Sequence, residues 1–303
     1  IPPTLFADHA ARGIAAKEQE MTIAKHLWEW YDLKVPPLEA DVKLTGPDRA
    51  VAGLRGRMSP DELKQWDAIY EPRNASFRES NLQGEDLVKW KFQRYLKDYL
   101  RCIAGVDTQV GRVLASLEEL GLAENTLVIY SSDQGFFLGE NGWYDKRFMN
   151  DPALQIPLVM RWPGVIPEGT RNGNMVQNLD FAPTFLDIAD TIIPHDIQGE
   201  SLLPLLRGEV PEKWRPSIYY EYTGEPTHNV AAHYGVRTAE WKLIRWPESN
   251  EWELFDLLRD PHEVTSQYDS DEQIIGGGTY RDVSEKLKME LVRLRKLYRV
   301  PNP

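Results

Sequence analysis

The sequence predicts an α/β fold followed by a smaller α+β part. Between residues 83 and 210, helical periodicity alternates with short apolar runs, as in helices packed on a sheet. After residue 210, four closely spaced runs alternate apolar with polar residues, and a final helical pattern follows. We therefore expect part of a parallel or mixed sheet flanked by helices over 1–210, then an antiparallel sheet with a terminal helix over 211–303.

The composition is that of an ordinary globular chain, with 42% hydrophobic and 27% charged residues among 303. The formal net charge of −12 argues against nucleic acid as a partner, because binding phosphates needs a basic surface. This charge also disfavours nonspecific capture of a sulfated polyanion, for which a local basic pocket would be needed. No apolar run is long enough for a membrane span.

The first 82 residues are rich in proline, tryptophan and charge, with short helical patterns and no clear strand, so we expect an excursion that wraps the core. A long amphipathic helix is predicted from Glu85 to Leu120, ending before Gly121. Cys102, the only cysteine, lies on its apolar stripe. We expect this thiol to be buried, because buried cysteine behaves as a small apolar group.

Two apolar runs follow this helix. Thr126–Tyr130 is continuous and β-branched, which predicts a strand buried on both faces of a parallel sheet. Pro157–Trp162 is a second strand, and Val176–Leu179 is a third, shorter candidate. Asp180 then stands where the N-cap of the next helix is expected, which favours a capping role over a ligand role.

The carboxyl-terminal part is predicted from period-two alternation. This alternation predicts an antiparallel sheet with one face towards solvent. Helical periodicity predicts a helix over Val283–Tyr298 that lies on the sheet. The predicted strands are Ser217–Tyr222, His233–Thr238, Lys242–Trp246 and Trp252–Asp256.

Polar residues follow the first predicted strand directly. Asp133 and Gln134 stand where that strand ends, and Lys146 lies thirteen residues beyond Asp133. The carboxyl ends of strands in α/β sheets are where ligands bind. Carboxylate and amide oxygens suit calcium or magnesium, and a lysine nearby would hold an anion. The same pattern also fits an ordinary turn, with Asp133 as a cap and Gly135 at positive φ.

Short segments over nearly the whole chain match, in order, the motifs of one enzyme family. They are Val106–Val113, Leu120–Thr126, Ser132–Gly135, Phe137–Glu140, Trp143–Arg147, Ile156–Val159, Arg161–Gly164, Leu179–Asp180, Ala182–Thr184, His233–Thr238, Glu253–Leu257 and Asp260–Pro261. On these segments the chain resembles the sulfatases of the alkaline phosphatase superfamily, and among them the bacterial sulfatases of sulfated glycans.

The resemblance implies an alkaline-phosphatase-like fold. Residues 1–210 would be the second half of the catalytic domain, with 1–82 as the excursion and 83–210 as the helix–strand core, and 211–303 the carboxyl-terminal subdomain. It implies hydrolysis of sulfate esters on a carbohydrate, with calcium, or else magnesium, as cofactor. Two alternatives stay open: a phosphodiesterase or phosphatase of the same superfamily, and a noncatalytic sulfoglycan-binding protein.

The resemblance also assigns residues. Asp133 and Gln134 align with a pair of calcium ligands, and Lys146 with the lysine that contacts sulfate in catalysis. His228 and His233 lie where bacterial relatives acting on sulfated sugars place substrate-facing residues, although a histidine at such a position is more often a hydrogen-bonded structural residue. Asn141 departs from the family, since many relatives have histidine there.

Several family motifs are missing from this sequence. It contains neither the Asp-Asp metal pair, nor the Cys/Ser-x-Pro-x-Arg segment that yields the formylglycine nucleophile, nor the later Lys-x-x-His segment. Cys102 is followed by Ile-Ala-Gly-Val and cannot replace that nucleophile. We therefore expect this chain alone to be inactive and to need the missing amino-terminal half as partner. The compartment is unknown, and the resemblance suggests the periplasm, the exterior or the lysosome.

Overall fold

The computed structural model describes residues 1–39, 42–44, 46–209, 211–224, 229–269 and 273–301. These residues form helices and strands in mixed order, which confirms the α/β class. The helices are α1 (Ile14–Glu18), α2 (Gly46–Arg55), α3 (Pro60–Ser80), α4 (Gly84–Glu119), α5 (Asp151–Leu154), α6 (Phe181–Ile188), α7 (Leu203–Leu206) and α8 (Gly278–Leu297). The strands are β1 (Val128–Ser131), β2 (Phe137–Leu138), β3 (Tyr144–Asp145), β4 (Leu158–Arg161), β5 (Ser217–Tyr222), β6 (His233–Thr238), β7 (Trp241–Trp246) and β8 (Glu251–Asp256).

The chain divides into two compact units that do not follow a single boundary in sequence. Unit 1 comprises Ile1–Phe6, Glu20–Gln109 and Leu138–Tyr144. Unit 2 comprises Ala7–Gln19, Val110–Phe137 and Asp145–Pro303. The proposed family domains 1–210 and 211–303 stay a prediction. None of the described helices is long and apolar enough to cross a membrane.

Unit 1 is built around helices α2, α3 and the first part of α4. Helix α3 begins with a capping box, in which the Ser59 backbone N–H donates to Glu62 Oε2 at 2.7 Å and Ser59 Oγ accepts the Glu62 N–H at 3.3 Å. It ends at Asn81 in the left-handed conformation. The core of this unit consists of Leu5, Ile23, Leu27, Leu33, Val35 and Phe92.

Helix α4 confirms the predicted long helix to within one residue at each end. The prediction of a buried Cys102 is wrong, because this thiol is exposed. Its neighbours on the apolar stripe are exposed as well, including Leu100 at 51% and Ile103 at 40%. The apolar period predicts the helix correctly, but no described residue covers this part of the stripe.

Strand β1 occupies the first apolar run and pairs with β4, the second. The pairing is antiparallel, with Val128 opposite Arg161, rather than the parallel pairing that the run predicts. The expectation that this strand is buried on both faces is wrong, since Tyr130 is 39% exposed and its partner Val159 is 63% exposed. A continuous apolar run predicts a neighbour on each face, and the described residues supply only part of that cover.

The third strand candidate, Val176–Leu179, is not a strand. A short 3₁₀ turn, Asn178–Asp180, leads into α6 instead. Asp180 stands at the N-cap position, but its side chain makes no capping hydrogen bond to α6. Its carboxylate accepts the Gln177 N–H at 2.7 Å and the Glu200 N–H at 2.9 Å, and it pairs with Arg215. Asp180 is therefore structural, as predicted, but its carboxylate closes the capping box of the 3₁₀ turn and pairs with Arg215 instead of capping α6.

The predicted antiparallel sheet is confirmed, and β5 to β8 follow one another in chain order. Val236 lies opposite Leu243, which lies opposite Leu254, so these three side chains share one face. Helix α8 covers that face with Leu287, Leu291 and Leu294. Unit 2 thus has its own apolar core.

The second face of this sheet is not the solvent-facing side that the alternation predicted. Lys242 is 0% and Glu253 is 1% exposed, and both are ion-paired within unit 2. Lys242 Nζ lies 2.6 Å from Asp151 Oδ1, and Arg237 binds the same carboxylate through two nitrogens. Burial by itself raises the pKa of Asp151, but Arg237 and Lys242 together lower it to about 2. The polar residues on this face, such as Lys242 and Glu253, are buried because they form ion pairs with residues of other segments.

Candidate functional site

A cleft of about 390 Å³ in unit 2 contains three of the predicted site residues, Asp133, Gln134 and Lys146. This volume lies within the range of small-molecule sites. The other residues that line it are Arg147, Ala153, Leu154, Ile156, Val176, Gln177, Asn178, Ile218, Tyr219, Tyr220 and Tyr222. The cleft therefore combines loops after β1 and β3 with residues of β5.

Backbone hydrogen bonds to helix α5 position the loop that carries Asp133 and Gln134. The Gly135 N–H donates to the Ala153 carbonyl at 2.9 Å, and the Phe136 N–H donates to the Pro152 carbonyl at 2.8 Å. A Cβ atom on Gly135 would lie 2.3 Å from the Pro152 carbonyl oxygen, so only glycine permits this approach. The expected positive φ is wrong, because Gly135 lies outside the left-handed region.

Lys146 lies between two residues with unusual backbone angles. Asp145 has φ 72° and Arg147 has φ 88°, a region that residues other than glycine seldom adopt. The Arg147 guanidinium pairs with the Asp145 carboxylate, and the Tyr220 hydroxyl donates to the Arg147 carbonyl at 2.7 Å. These contacts hold the backbone on the carboxyl side of Lys146. Strain of this kind often occurs where a side chain must be aimed at a ligand.

The polar groups of the cleft are partly available for a ligand. Lys146 is half-buried, and no described carboxylate lies within 4.0 Å of its ammonium group. Asp133 is exposed and accepts a hydrogen bond from Ser132 Oγ at 3.3 Å, which also donates to the Gln134 carbonyl at 2.9 Å. The arrangement offers one unpaired cation and two oxygen donors to the same space.

The side-chain oxygens of Asp133 and Gln134 are of the kind that binds a hard cation, but there are too few of them for a complete ligand shell. Calcium takes six to eight oxygen ligands, and Asp133 and Gln134 provide two side chains. No group of three or more histidine, cysteine, aspartate or glutamate residues that could hold a metal occurs within the described ranges. Asp133 and Gln134 therefore suit one side of a larger ligand set.

Arg147, Tyr220 and Tyr222 also line the cleft and are not among the site residues predicted from the sequence. Burial raises the pKa of Tyr220 to about 12, with Tyr222 adding to the effect, so this hydroxyl stays protonated and donates at neutral pH. The Tyr222 hydroxyl is buried and has no hydrogen-bond partner among the residues described. Period-two alternation in β5 puts both tyrosines on one face, a signal that was present in the sequence.

His233 is not among the described residues that line this cleft. His233 is 1% exposed and lies among aromatic rings, with the Trp246 ring centroid at 4.3 Å. Its Nδ1 lies 2.9 Å from the Ala231 carbonyl, and burial lowers its pKa to about 4. A substrate-facing role for His233 stays a prediction, and His228 lies outside the described residues.

Asn141 belongs to unit 1 and has a local backbone role. It is 1% exposed, adopts φ 57°, and its N–H donates to Thr4 Oγ1 at 2.9 Å. Asparagine tolerates this left-handed conformation better than most residues. Many relatives have histidine where this chain has Asn141. At this position the backbone adopts the left-handed conformation, which asparagine tolerates well.

Comparison with known proteins gives consistent family matches. A sulfatase family model matches residues 20–191, and a model described as N-sulphoglucosamine sulphohydrolase, C-terminal, matches residues 139–297. An N-acetylglucosamine-6-O-sulfatase of Bacteroides thetaiotaomicron is 40% identical over 306 residues, covering 100% of this chain and 53% of the relative. Human arylsulfatase K is 31% identical over 223 residues, covering 69% of this chain and 41% of that protein.

Solved structures agree with these matches. One solved structure, of a protein in complex with its substrate D-glucosamine-2-N,6-O-disulfate, has a TM-score of 0.91 and 39% identity, covering 100% of this chain and 60% of that one. A phosphonate monoester hydrolase of Agrobacterium radiobacter has a TM-score of 0.59 and 25% identity, covering 69% of this chain and 42% of that one. The present chain spans about half the length of the first curated relative. Sulfatases are generally metal-dependent. Both family models and the 40% identical relative place the chain in the sulfatase family, within the alkaline phosphatase superfamily.

Proposed function

We propose that the whole protein hydrolyses sulfate esters of sugars and that this chain supplies one side of the sulfate pocket. The observation that carries the proposal is that Asp133, Gln134 and Lys146 line one cleft in unit 2. A sulfate group placed there would meet the Lys146 ammonium, which has no carboxylate partner among the described residues. Electrostatic groups aimed at the oxygens of the transition state are a major source of catalytic rate.

In this proposal Lys146 stabilises the negative charge that develops on oxygen as the S–O bond breaks. Arg147 and Tyr220 orient it through the backbone contact described above. Asp133 and Gln134 would hold calcium, or else magnesium, which when bound acts as a Lewis acid on the sulfate oxygens. The formylglycine nucleophile would come from another part of the whole protein.

The amino-terminal half of the catalytic domain is the proposed partner of this chain. The exposed apolar side chains on β1 and β4, among them Val159 at 63%, are the kind of surface that a further part of the fold covers. The relatives, which are about twice as long, support the same view. The proposed compartment is the periplasm, the exterior or the lysosome.

The 303-residue chain alone is expected not to hydrolyse sulfate esters. Purified chain, verified by mass spectrometry, is assayed with an aryl sulfate and with glucosamine 6-sulfate beside the full-length protein. We expect turnover from the full-length protein only, because the chain lacks a nucleophile. Hydrolysis by the isolated chain that disappears in its Lys146→Ala variant would contradict this.

Calcium is expected to bind the isolated chain weakly, because two side-chain ligands are a small part of a calcium shell. Isothermal titration should give a dissociation constant well above micromolar, and Asp133→Asn should weaken binding further. Glu285→Gln on α8 is the matched control for loss of one exposed carboxylate. Submicromolar affinity for the isolated chain would show that the ligand set is already complete.

A second candidate is hydrolysis of phosphorus esters, supported by the likeness to the phosphonate monoester hydrolase. Both reactions need a cation beside a tetrahedral anion, so the cleft alone does not separate them. Assays of the full-length protein with matched aryl sulfate, aryl phosphate and aryl phosphonate esters decide between them. Binding of a sulfated sugar without any turnover would instead favour a noncatalytic sulfoglycan-binding protein.

A further inference from the structure

A basic cleft lies between helices α3 and α4 of unit 1 and shares no residue with the cleft in unit 2. Its volume is about 580 Å³, and four of its lining residues are the cations Arg73, Arg94, Lys97 and Arg101. The last three recur on α4 at three- and four-residue steps, which puts them on one face. In a chain of net charge −12, such a cluster creates a local positive potential.

The floor of this cleft is rigidly built. Arg94 is 8% exposed, its Nε donates to the Leu33 carbonyl at 2.8 Å, and its Nη2 donates to Asn74 Oδ1 at 2.7 Å. Asn74 is 0% exposed and donates from Nδ2 to the Lys34 carbonyl at 3.0 Å. A buried arginine held in this way provides a fixed charge without further loss of side-chain entropy.

The rim of the cleft carries cations that remain available. Arg73 and Lys97 are exposed, and no carboxylate in the described ranges lies within 4.0 Å of either. Arg101 pairs with Asp98, which is the acidic group next to it on α4. Three of the four cations, Arg73, Arg94 and Lys97, are thus not neutralised by an ion pair in the described residues.

An aromatic surface stands beside these cations. The Trp90 ring lines the cleft and stacks on Phe77, with ring centroids 3.6 Å apart and an interplanar angle of 15°. Ser76 and Ser80 of α3 and Gln93 of α4 add hydroxyl and amide groups to the lining. Aromatic faces pack against apolar surfaces of ligands, while hydroxyl and amide groups hydrogen-bond their polar edges.

We propose that this cleft binds a sulfated sugar chain, as a site additional to the sulfate pocket. Arginine forks match the oxygens of a sulfate group, and the Trp90 side chain in the cleft lining offers aromatic surface to a sugar ring. The choice of a sulfated sugar rests on the proposed function. A single nucleic acid strand also offers anions and rings, so a short DNA strand is compared directly with the sulfated sugar in the test.

The test compares two triple variants of the 303-residue chain that remove equal charge. The first carries Arg73→Gln, Lys97→Gln and Arg101→Gln. The matched control carries Lys43→Gln, Arg57→Gln and Lys64→Gln, which are exposed residues of unit 1 outside the cleft. Affinity is measured by titration calorimetry in 0.1 M salt with a heparin hexasaccharide, its fully desulfated counterpart and a six-nucleotide single strand of DNA.

The cleft variant is expected to lose about tenfold or more in affinity for the sulfated hexasaccharide, because contacts to several charges are removed together. The control should change less than twofold, and the desulfated sugar should bind much more weakly. Equal affinity of the two triple variants, or tighter binding of the DNA strand, would overturn the proposal. If the cleft variant melts early, Lys97→Gln alone should still show a two- to threefold loss relative to Lys64→Gln, and no such loss would also overturn it.

The binding titration requires no catalysis, so its result can be interpreted even if the full-length protein hydrolyses no sulfate ester. Repeating the titration with Lys146→Ala removes the predicted sulfate contact of unit 2. An unchanged difference between cleft and control variants in that background assigns the binding to the cleft of unit 1. Loss of the difference would assign it to the unit 2 pocket and refute the additional site.

Discussion

Replacing Lys146 with alanine in the full-length protein is expected to lower kcat/KM for a sugar sulfate ester by about 10²–10³-fold. This is the range observed when one preorganised electrostatic contact to a developing oxyanion is removed. The ammonium group has no carboxylate partner among the described residues, so its charge is available to the substrate. Because the charge on oxygen grows in the transition state, most of the loss should fall on kcat rather than on KM.

Two further variants make this expectation specific. Lys146→Arg keeps the positive charge but spreads it over a planar guanidinium group, so we expect an intermediate loss in kcat/KM. Lys286→Ala removes an exposed lysine of α8 and should change kcat/KM less than twofold. The melting temperature of each variant shows whether the fold is kept. A Lys146→Ala enzyme with unchanged kcat would rule out the catalytic role of this residue.

Local patterns predicted the secondary structure well because the signals are local. The bounds of β5 and β6 agree with the predicted Ser217–Tyr222 and His233–Thr238, and α4 differs by one residue at each end. Burial was predicted less well. Cys102 is exposed and Lys242 is fully buried, in both cases against expectation. Burial depends on which distant segment covers a face, and a periodic pattern contains no information about that segment.

The candidate site likewise contains residues that local patterns predict and contacts that they do not predict. Asp133, Gln134 and Lys146 could be singled out because they follow predicted strands and match family motifs, and the structure brings all three into one cleft. Tyr220 reaches the Arg147 carbonyl across 73 residues of sequence. No pattern around either residue predicts that contact, because it depends on where β5 packs. The roles of the three predicted residues still await the activity and calcium measurements.

A buried ion pair makes the stability of unit 2 sensitive to the loss of one charged partner. Arg12 Nε lies 2.6 Å from Glu253 Oε1, and the two side chains are 0% and 1% exposed. Glu253 also accepts hydrogen bonds from the Gly13 N–H and from Trp246 Nε1, both at 3.0 Å. Burial by itself raises the pKa of Glu253, but Arg12 and the other donors lower it overall. The carboxylate is therefore charged and depends on Arg12.

Arg12→Met is expected to reduce the free energy of unfolding by about 3–5 kcal/mol, because it leaves a buried carboxylate without its cation. Urea denaturation followed by tryptophan fluorescence measures the loss. Arg161→Met, which removes an exposed partner of Glu118, should cost less than about 1 kcal/mol. The double variant Arg12→Met/Glu253→Met should recover part of the loss, since it removes the unpaired charge as well.

The pH dependence gives an independent check on the same pair. A carboxylate whose pKa is lowered by folding stabilises the protein above its unfolded pKa, and that stabilisation disappears as pH falls through the folded pKa. The wild-type chain should therefore lose stability on acidification below about pH 4.5, the ordinary value for glutamate. The double variant should lose less over the same interval because it lacks this group. Identical acid profiles for wild type and double variant would show that Glu253 is not held in its charged form by Arg12.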